Sequence, residues 1–406
     1  MTINNEHKKL NVPNLRFPEF QGEWEKCRLG HVCTFLSGGT PKIDVKEYWN
    51  GTIPFVSAIS MHDTYILDSK LHISEEGLKH GSRLLTKNNL LLLVRGSMLW
   101  NTIPICLNKN NVAFNQDVKG IIANDTINNE YLLYWLKSKE QRLKYMVTGT
   151  GLGAGKLDTS DLLSMIVYIP AMKEQDKVAK LLSLFDERIA TQNKIIDKLQ
   201  SLIKGIMASR QNSGLKNNTW EKISLCDVLT ERTELNKQLH PVFSVSVSQG
   251  VINQIEYLGR SFAAKDTSKY NVAHYGDIIY TKSPTGDFPY GIVKQNYNQK
   301  EVAVSPLYGV YAPKNYSIGV FLHEYFKSNV YTYNYLHPLI QKGAKNTINI
   351  TNQHFLENKV AMPFDDDELE SISKLLLSLN AKVVLMQHIK DNYEQQKQYL
   401  LRQMFI

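Results

Sequence analysis

Residues 149–156 read GTGLGAGK, a glycine pattern that lets backbone N–H groups and a lysine approach a phosphate. Its surroundings exclude a nucleotide loop or an S-adenosylmethionine loop. The segment follows a helix-like run rather than a strand, with no parallel βαβ pattern around it. Thr150 and Leu157 also stand where a Walker sequence needs glycine and Ser/Thr. An adenine methyltransferase carries an Asn/Asp/Ser-Pro-Pro-aromatic loop, and the nearest match is SPLY at 305–308, with leucine for the second proline. Asp365, Asp366 and Asp367 form a solvated run at a helix start, where negative charge is favoured. The eleven histidines give no HxxxH pair with a flanking acid, and Cys27, Cys33, Cys106 and Cys226 lack zinc-ligand spacing. No catalytic constellation, metal set or cofactor is expected.

Contact with a polyanion is the chemistry these residues do allow. Lysine and arginine number 47 against 39 acids, a net charge of +8 in 406 residues. Arg95 and Ser97 follow an apolar run at 90–94, and Lys282, Ser283 and Thr285 follow DIIYT at 277–281. Arginine, asparagine and glutamine make bidentate contacts to base edges, so Arg95, Asn115 and Gln116 are candidate readers. Most contacts in such interfaces go to phosphate and sugar, a role that suits Lys42, Lys156, Lys342 and Lys345. Lys156 lies in the glycine-rich loop, and Lys342 and Lys345 lie in KGAKNTIN, residues 342–349, at an offset of 193. The two loops fit phosphate binding and a plain flexible hairpin equally well.

Those positions are carried by a chain that repeats itself. Two long helices are expected, at about 173–210 and 366–405. Their seam residues are Val178, Leu182, Phe185, Ile189, Gln192, Ile196, Leu199, Ile203 and Ile206, then Ile372, Leu376, Leu379, Val383, Met386, Lys390, Tyr393, Lys397 and Leu400. Both series advance in alternating steps of 4 and 3, and each pair differs by 194, the register of a coiled coil. Trp24-Glu25-Lys26 recurs as Trp220-Glu221-Lys222, and Pro170 recurs as Pro363. Residues 211–219 (QNSGLKNNT) read as a polar connector. Short β-rich runs fill the rest, with helical patterns near 128–146 and 319–329. The expected division is a globular domain at 1–168, a helix at 169–212, a second domain at 213–362 and a helix at 363–406. The class is mixed α/β with an internal pseudo-two-fold. No stretch is apolar for long enough to span a membrane, and 1–14 lacks the apolar core of a signal peptide, so a cytoplasmic protein is expected.

PNLRFPEF at 13–20 with Trp24-Glu25, SGGTP at 37–41, YWNGTIP at 48–54, the proline–Glu–Gln–helix join at 170–175 and the terminal LRQMF at 401–405 together resemble bacterial type I restriction–modification specificity subunits. That resemblance implies two target-recognition domains, each reading half of a bipartite target in double-stranded DNA. It also implies two antiparallel coiled-coil helices that separate them and dock two methyltransferase subunits, with restriction subunits joining in some assemblies. No catalytic residue and no membrane contact is implied. The second half departs from the pattern, with VFSVSVS at 242–248 and no SGGTP or YWNG. The competing class is an autonomous methyltransferase or nuclease with its own reader domains. A coiled-coil scaffold without a DNA role is a further alternative, which the basic charge disfavours.

Overall fold

The computed structural model describes residues 10–151, 153–342 and 348–406, so Lys345 lies outside the described residues. The chain divides into two compact units, residues 1–193 with 388–406, and residues 194–387.

In the first unit, β1 (Glu25–Arg28) is followed by β2 (Cys33–Ser37), β3 (Leu90–Leu93), β4 (Ile105–Asn108), β5 (Val112–Phe114), β6 (Val118–Ala123) and β7 (Ile166–Ile169). The main sheet runs β2–β6–β3–β4, all antiparallel, with Tyr65–Ile66 added in parallel beside β4. Its central strand, LLLL, is buried on both faces, which is why it lacks alternation. In a second layer β5 pairs in parallel with Ile53–Val56. Helix α1 (Asn129–Ser138) covers the main sheet with buried Tyr131, Tyr134 and Trp135; the side chain of Asn128 caps it by accepting from the N–H groups of Glu130 and Tyr131.

The second unit repeats this plan. It contains β8 (Trp220–Ser224), β9 (Leu229–Glu231), β10 (Ile278–Tyr280), β11 (Val293–Gln295), β12 (Val302–Val304), β13 (Gly309–Pro313), helix α3 (Tyr316–Tyr325) and β14 (Lys359–Pro363). Its sheet runs β9–β13–β10–β11, the same order as β2–β6–β3–β4. A parallel bridge from Val242 to Ala303 stands where the first unit pairs Ile53–Val56 with β5. In each unit the first strand closes antiparallel on the last, β1 on β7 and β8 on β14. The opening tryptophans match as well. Trp24 Nε1 donates to Glu174 at 3.3 Å, and Trp220 Nε1 donates to Glu368 at 3.1 Å.

Both glutamates lie in the first turns of long helices, α2 (Met172–Lys216) and α4 (Asp366–Gln403). All eighteen expected seam residues are buried or half-buried, so the 4-3 stripe is the face that packs. Phe185 meets Tyr393 at 6.2 Å between centroids, while Val178 and Leu182 share a core with Leu401 and Met404. Rising numbers in α2 therefore meet falling numbers in α4, an antiparallel pairing within the first unit.

One expected boundary is wrong. The polar connector at 211–219 is helical as far as Lys216, because Trp220 packs against Gly214, where a Cβ would lie 2.1 Å from the indole. The helix ends at Lys216, and Asn218, two residues on, adopts a left-handed φ of 56° that turns the chain away. Among the described residues no helix is long and apolar enough to cross a membrane.

Candidate nucleic-acid interface

In the first unit the chain reverses repeatedly at the end of β3, and most of the candidate residues gather there. Val94 and Arg95 both donate their N–H groups to the carbonyl of Asp117, at 2.8 and 3.3 Å, which ties the segment after β3 to the loop between β5 and β6. That loop is Asn115-Gln116-Asp117. Asn115 braces it, donating from Nδ2 to Asp117 at 3.2 Å and accepting the Asp117 N–H at 3.2 Å. Gln116 is exposed, and its Oε1 accepts from Thr40 Oγ1 at 2.7 Å, which joins the SGGTP segment to the same edge. Lys42 follows two residues later, exposed, with its carbonyl accepting from Trp49 Nε1.

The glycine-rich loop is a hairpin. Thr148–Gly149 pairs with Gly155–Lys156, which in turn pairs with Arg95–Gly96, placing Lys156 opposite Arg95. Exposed Ser97 opens the short helical turn that follows. Arg95, Asn115, Gln116 and Lys156 are thus connected through hydrogen bonds and strand pairs, with Ser97 two residues along the chain from Arg95 and Lys42 two residues from Thr40. Lys156 also holds Asp158 at 3.1 Å. The Asp158 carboxyl is kept low, at about 2, by its hydrogen bonds to Ser160 and to Lys156. The lysine therefore offers a shared rather than a free charge.

Two residues beyond the sequence-based candidates complete this edge. Trp100, 50% exposed, donates from Nε1 to the Gly153 carbonyl at 3.0 Å and so fixes the hairpin tip. Lys119 donates to Ser37 Oγ at 2.5 Å. Lys119 interrupts the apolar run of β6, and Trp100 is an exposed tryptophan; only the first is a signal visible in the sequence.

The glycines of SGGTP and YWNG have a steric role. A Cβ on Gly38 would lie 2.2 Å from the Phe114 carbonyl oxygen, and one on Gly51 would lie 2.0 Å from that of Ile73. Substitution Gly38→Ala is therefore expected to push SGGTP off the Asn115–Asp117 loop and break the 3.0 Å bond from Gly39 N to Phe114 O. The expected cost is about 2 kcal/mol, read as a fall in the unit's thermal midpoint. Full retention of the wild-type midpoint would contradict it.

The second unit places its candidates differently. Lys282 is half-buried with a left-handed φ of 60°, and burial lowers its pKa while Glu231 opposes that shift. Ser283 and Thr285 follow on an exposed tight turn, where Ser283 O accepts from Thr285 Oγ1 and Thr285 pairs with Phe288. Lys342 lies in the strand Gln341–Lys342, which pairs with Ile348–Asn349. This hairpin sits at an offset of 193 from the glycine-rich one, strand for strand. Among the described residues no group of His, Cys, Asp and Glu could hold a metal ion.

Residues 21–201 match the family model of the type I restriction modification DNA specificity domain. That match is to 181 of the 406 residues, all within the first half of the chain. The chain is 31% identical over 174 residues to the EcoR124I/EcoR124II specificity subunit of Escherichia coli, covering 42% of this chain and 43% of that protein. It is 30% identical over 215 residues to the MjaVIII specificity subunit of Methanocaldococcus jannaschii, covering 53% and 47%. The matches thus span less than half of either relative. The fold extends further: a crystal structure of a type I restriction–modification S subunit from M. genitalium superposes with a TM-score of 0.62 at 14% identity, over 97% of this chain and 99% of that one.

Proposed function

We propose that this chain is the DNA sequence-specificity subunit of a type I restriction–modification complex and has no catalytic role of its own. The observation that carries this reading is the repeated architecture: two units with one strand order and one tryptophan–glutamate lock, the first of which contains most of the matched specificity domain. Residues 1–168 and 213–362 act as the two readers, one for each half of a bipartite target in double-stranded DNA. Two readers on one chain raise the effective concentration of the second contact once the first is made. Helices α2 and α4 set the spacing and dock two methyltransferase subunits, with restriction subunits added where the system encodes them. The charge of +8 suits the phosphate contacts that carry most of the affinity for DNA.

The purified chain is expected to transfer no methyl group and cleave no DNA. Sequence-specific binding should appear on addition of its methyltransferase partner, measured as a salt-dependent shift of a target duplex over a scrambled one. Methyl transfer by the chain alone would establish the autonomous-enzyme reading instead.

A further inference from the structure

The shared strand order gives each unit an equivalent pair of positions at the same end of its central strands. In the first unit Arg95 lies two residues after β3 and Gln116 two residues before β6, and the Arg95 N–H donates to Asp117 of the same loop. In the second, Lys282 lies two residues after β10 and Leu307 two residues before β13, so strand order makes these the equivalent positions. The guanidinium and amide of one reader are thus replaced in the other by a lysine and a leucine.

Leu307 is 71% exposed, yet its turn is well defined. Tyr308 N donates to Ser305 O at 3.0 Å, Leu307 N donates to Ser305 Oγ at 3.3 Å, and Pro306 restricts the backbone between them. Asn271 Nδ2 anchors the turn by donating to Tyr308 O at 2.9 Å. The next side chain, Tyr308, packs against the cluster of Ala273, Ile279, Val302, Val304 and Val310, whereas Leu307 contributes nothing to it. A braced turn therefore holds a large aliphatic group in water, at the position where the first unit presents the exposed amide of Gln116.

Leucine has no hydrogen-bond donor or acceptor to offer a base edge. The one apolar group in the major groove is the 5-methyl of thymine. We propose that Leu307 is a specificity-determining residue of the second reader, packing against a thymine methyl in its half-site. The proposal rests on the DNA-reading function above.

The test uses the full chain with its methyltransferase partner and a target selected from a randomised duplex library. Each thymine of the second half-site is replaced in turn by deoxyuridine, which removes only the methyl, and binding is measured at one fixed salt concentration. Losing one buried methyl should weaken binding about fourfold at a single position. For Leu307→Ala the thymine-to-uracil ratio at that position should fall to about one, and Leu307→Met, still apolar at its tip, should retain discrimination. Ratios in the first half-site should be equal for all three proteins. An Ala variant that binds thymine and uracil DNA equally weakly, but keeps the wild-type ratio, would assign Leu307 to folding or to a protein contact and overturn the proposal. Equal binding of both DNAs by the wild type, or a second half-site without thymine, overturns it while leaving the specificity function standing. Failure to select any DNA overturns both.

Discussion

Replacing Asp186 by alanine is expected to destabilise the first unit by about 3 kcal/mol. Asp186 sits on α2, and its carboxylate accepts from Tyr134 of α1 at 2.8 Å and from Lys397 of α4. Lys397 is only 8% exposed and lies over the Tyr134 ring. Removing the acid strands the buried ammonium and leaves the Tyr134 hydroxyl only its bond to Tyr65, which costs far more than the loss of a surface pair. Urea titration followed by amide exchange in α1 should show the midpoint falling by roughly 1 M. The double variant Asp186→Leu, Lys397→Met should recover most of that loss, since an apolar pair leaves no charge behind. A single variant as stable as wild type would refute the buried-charge account.

The same cluster gives a pH dependence. Lys137, which donates to Thr64 Oγ1 at 2.7 Å, is pushed down to about 8 by burial and by the charge of Lys397, with Asp186 opposing. A lysine depressed in the folded state binds fewer protons there than in the unfolded chain. Its contribution therefore rises with pH between about 8 and its unfolded value near 10.4. Without Asp186 that window should extend below 8.

Exchange of residues 1 to about 165 for the equivalent segment of a relative is expected to change one half of the methylated motif and leave the other half and the gap intact. On duplexes carrying the former half-site, binding should weaken about a thousandfold. The graft must respect the contacts that seat the first unit on its helices. Trp24 and Arg16 both bond Glu174, and Asn128 N donates to Gln175 Oε1 at 2.8 Å. Segments that keep these partners should fold, and mapping of modified adenines reads the outcome. A graft that altered both halves would remove the two-reader model.

Local patterns in the sequence carried the helices. The 4-3 steps of Val178 to Ile206 and of Ile372 to Leu400 need only nearest-turn geometry, and every one of those residues is at least half-buried. The equivalence of the two hairpins was legible for the same reason, through a fixed offset. The connector was not, because glycine and asparagine at 211–219 read as breakers while the partner that keeps Gly214 helical is the following Trp220. At the candidate interface Arg95, Asn115 and Gln116 were found by residue type. Their union with SGGTP depends on a bond between residues 76 apart, Thr40 and Gln116, which no spacing reveals. Lys282 was likewise found by type, but its left-handed backbone and partial burial follow from tertiary packing around Gly291.

The first unit is assembled from two stretches, and its last one closes a core begun at the other end of the chain. Leu15 N donates to Gln403 O at 2.9 Å, and Phe405 packs against Tyr131 at 5.2 Å between ring centroids. The second unit, by contrast, is one unbroken stretch ending at residue 387. On the ribosome the second unit is therefore complete first. From residue 193 to residue 406 the apolar surface around Trp24 and Tyr131 waits for Leu401, Met404 and Phe405, an interval of roughly 10–40 s at ordinary rates of synthesis. Chains cut short before residue 401 would leave that surface open for good, which makes residues 401–406 a checkpoint on whether the first unit is ever finished.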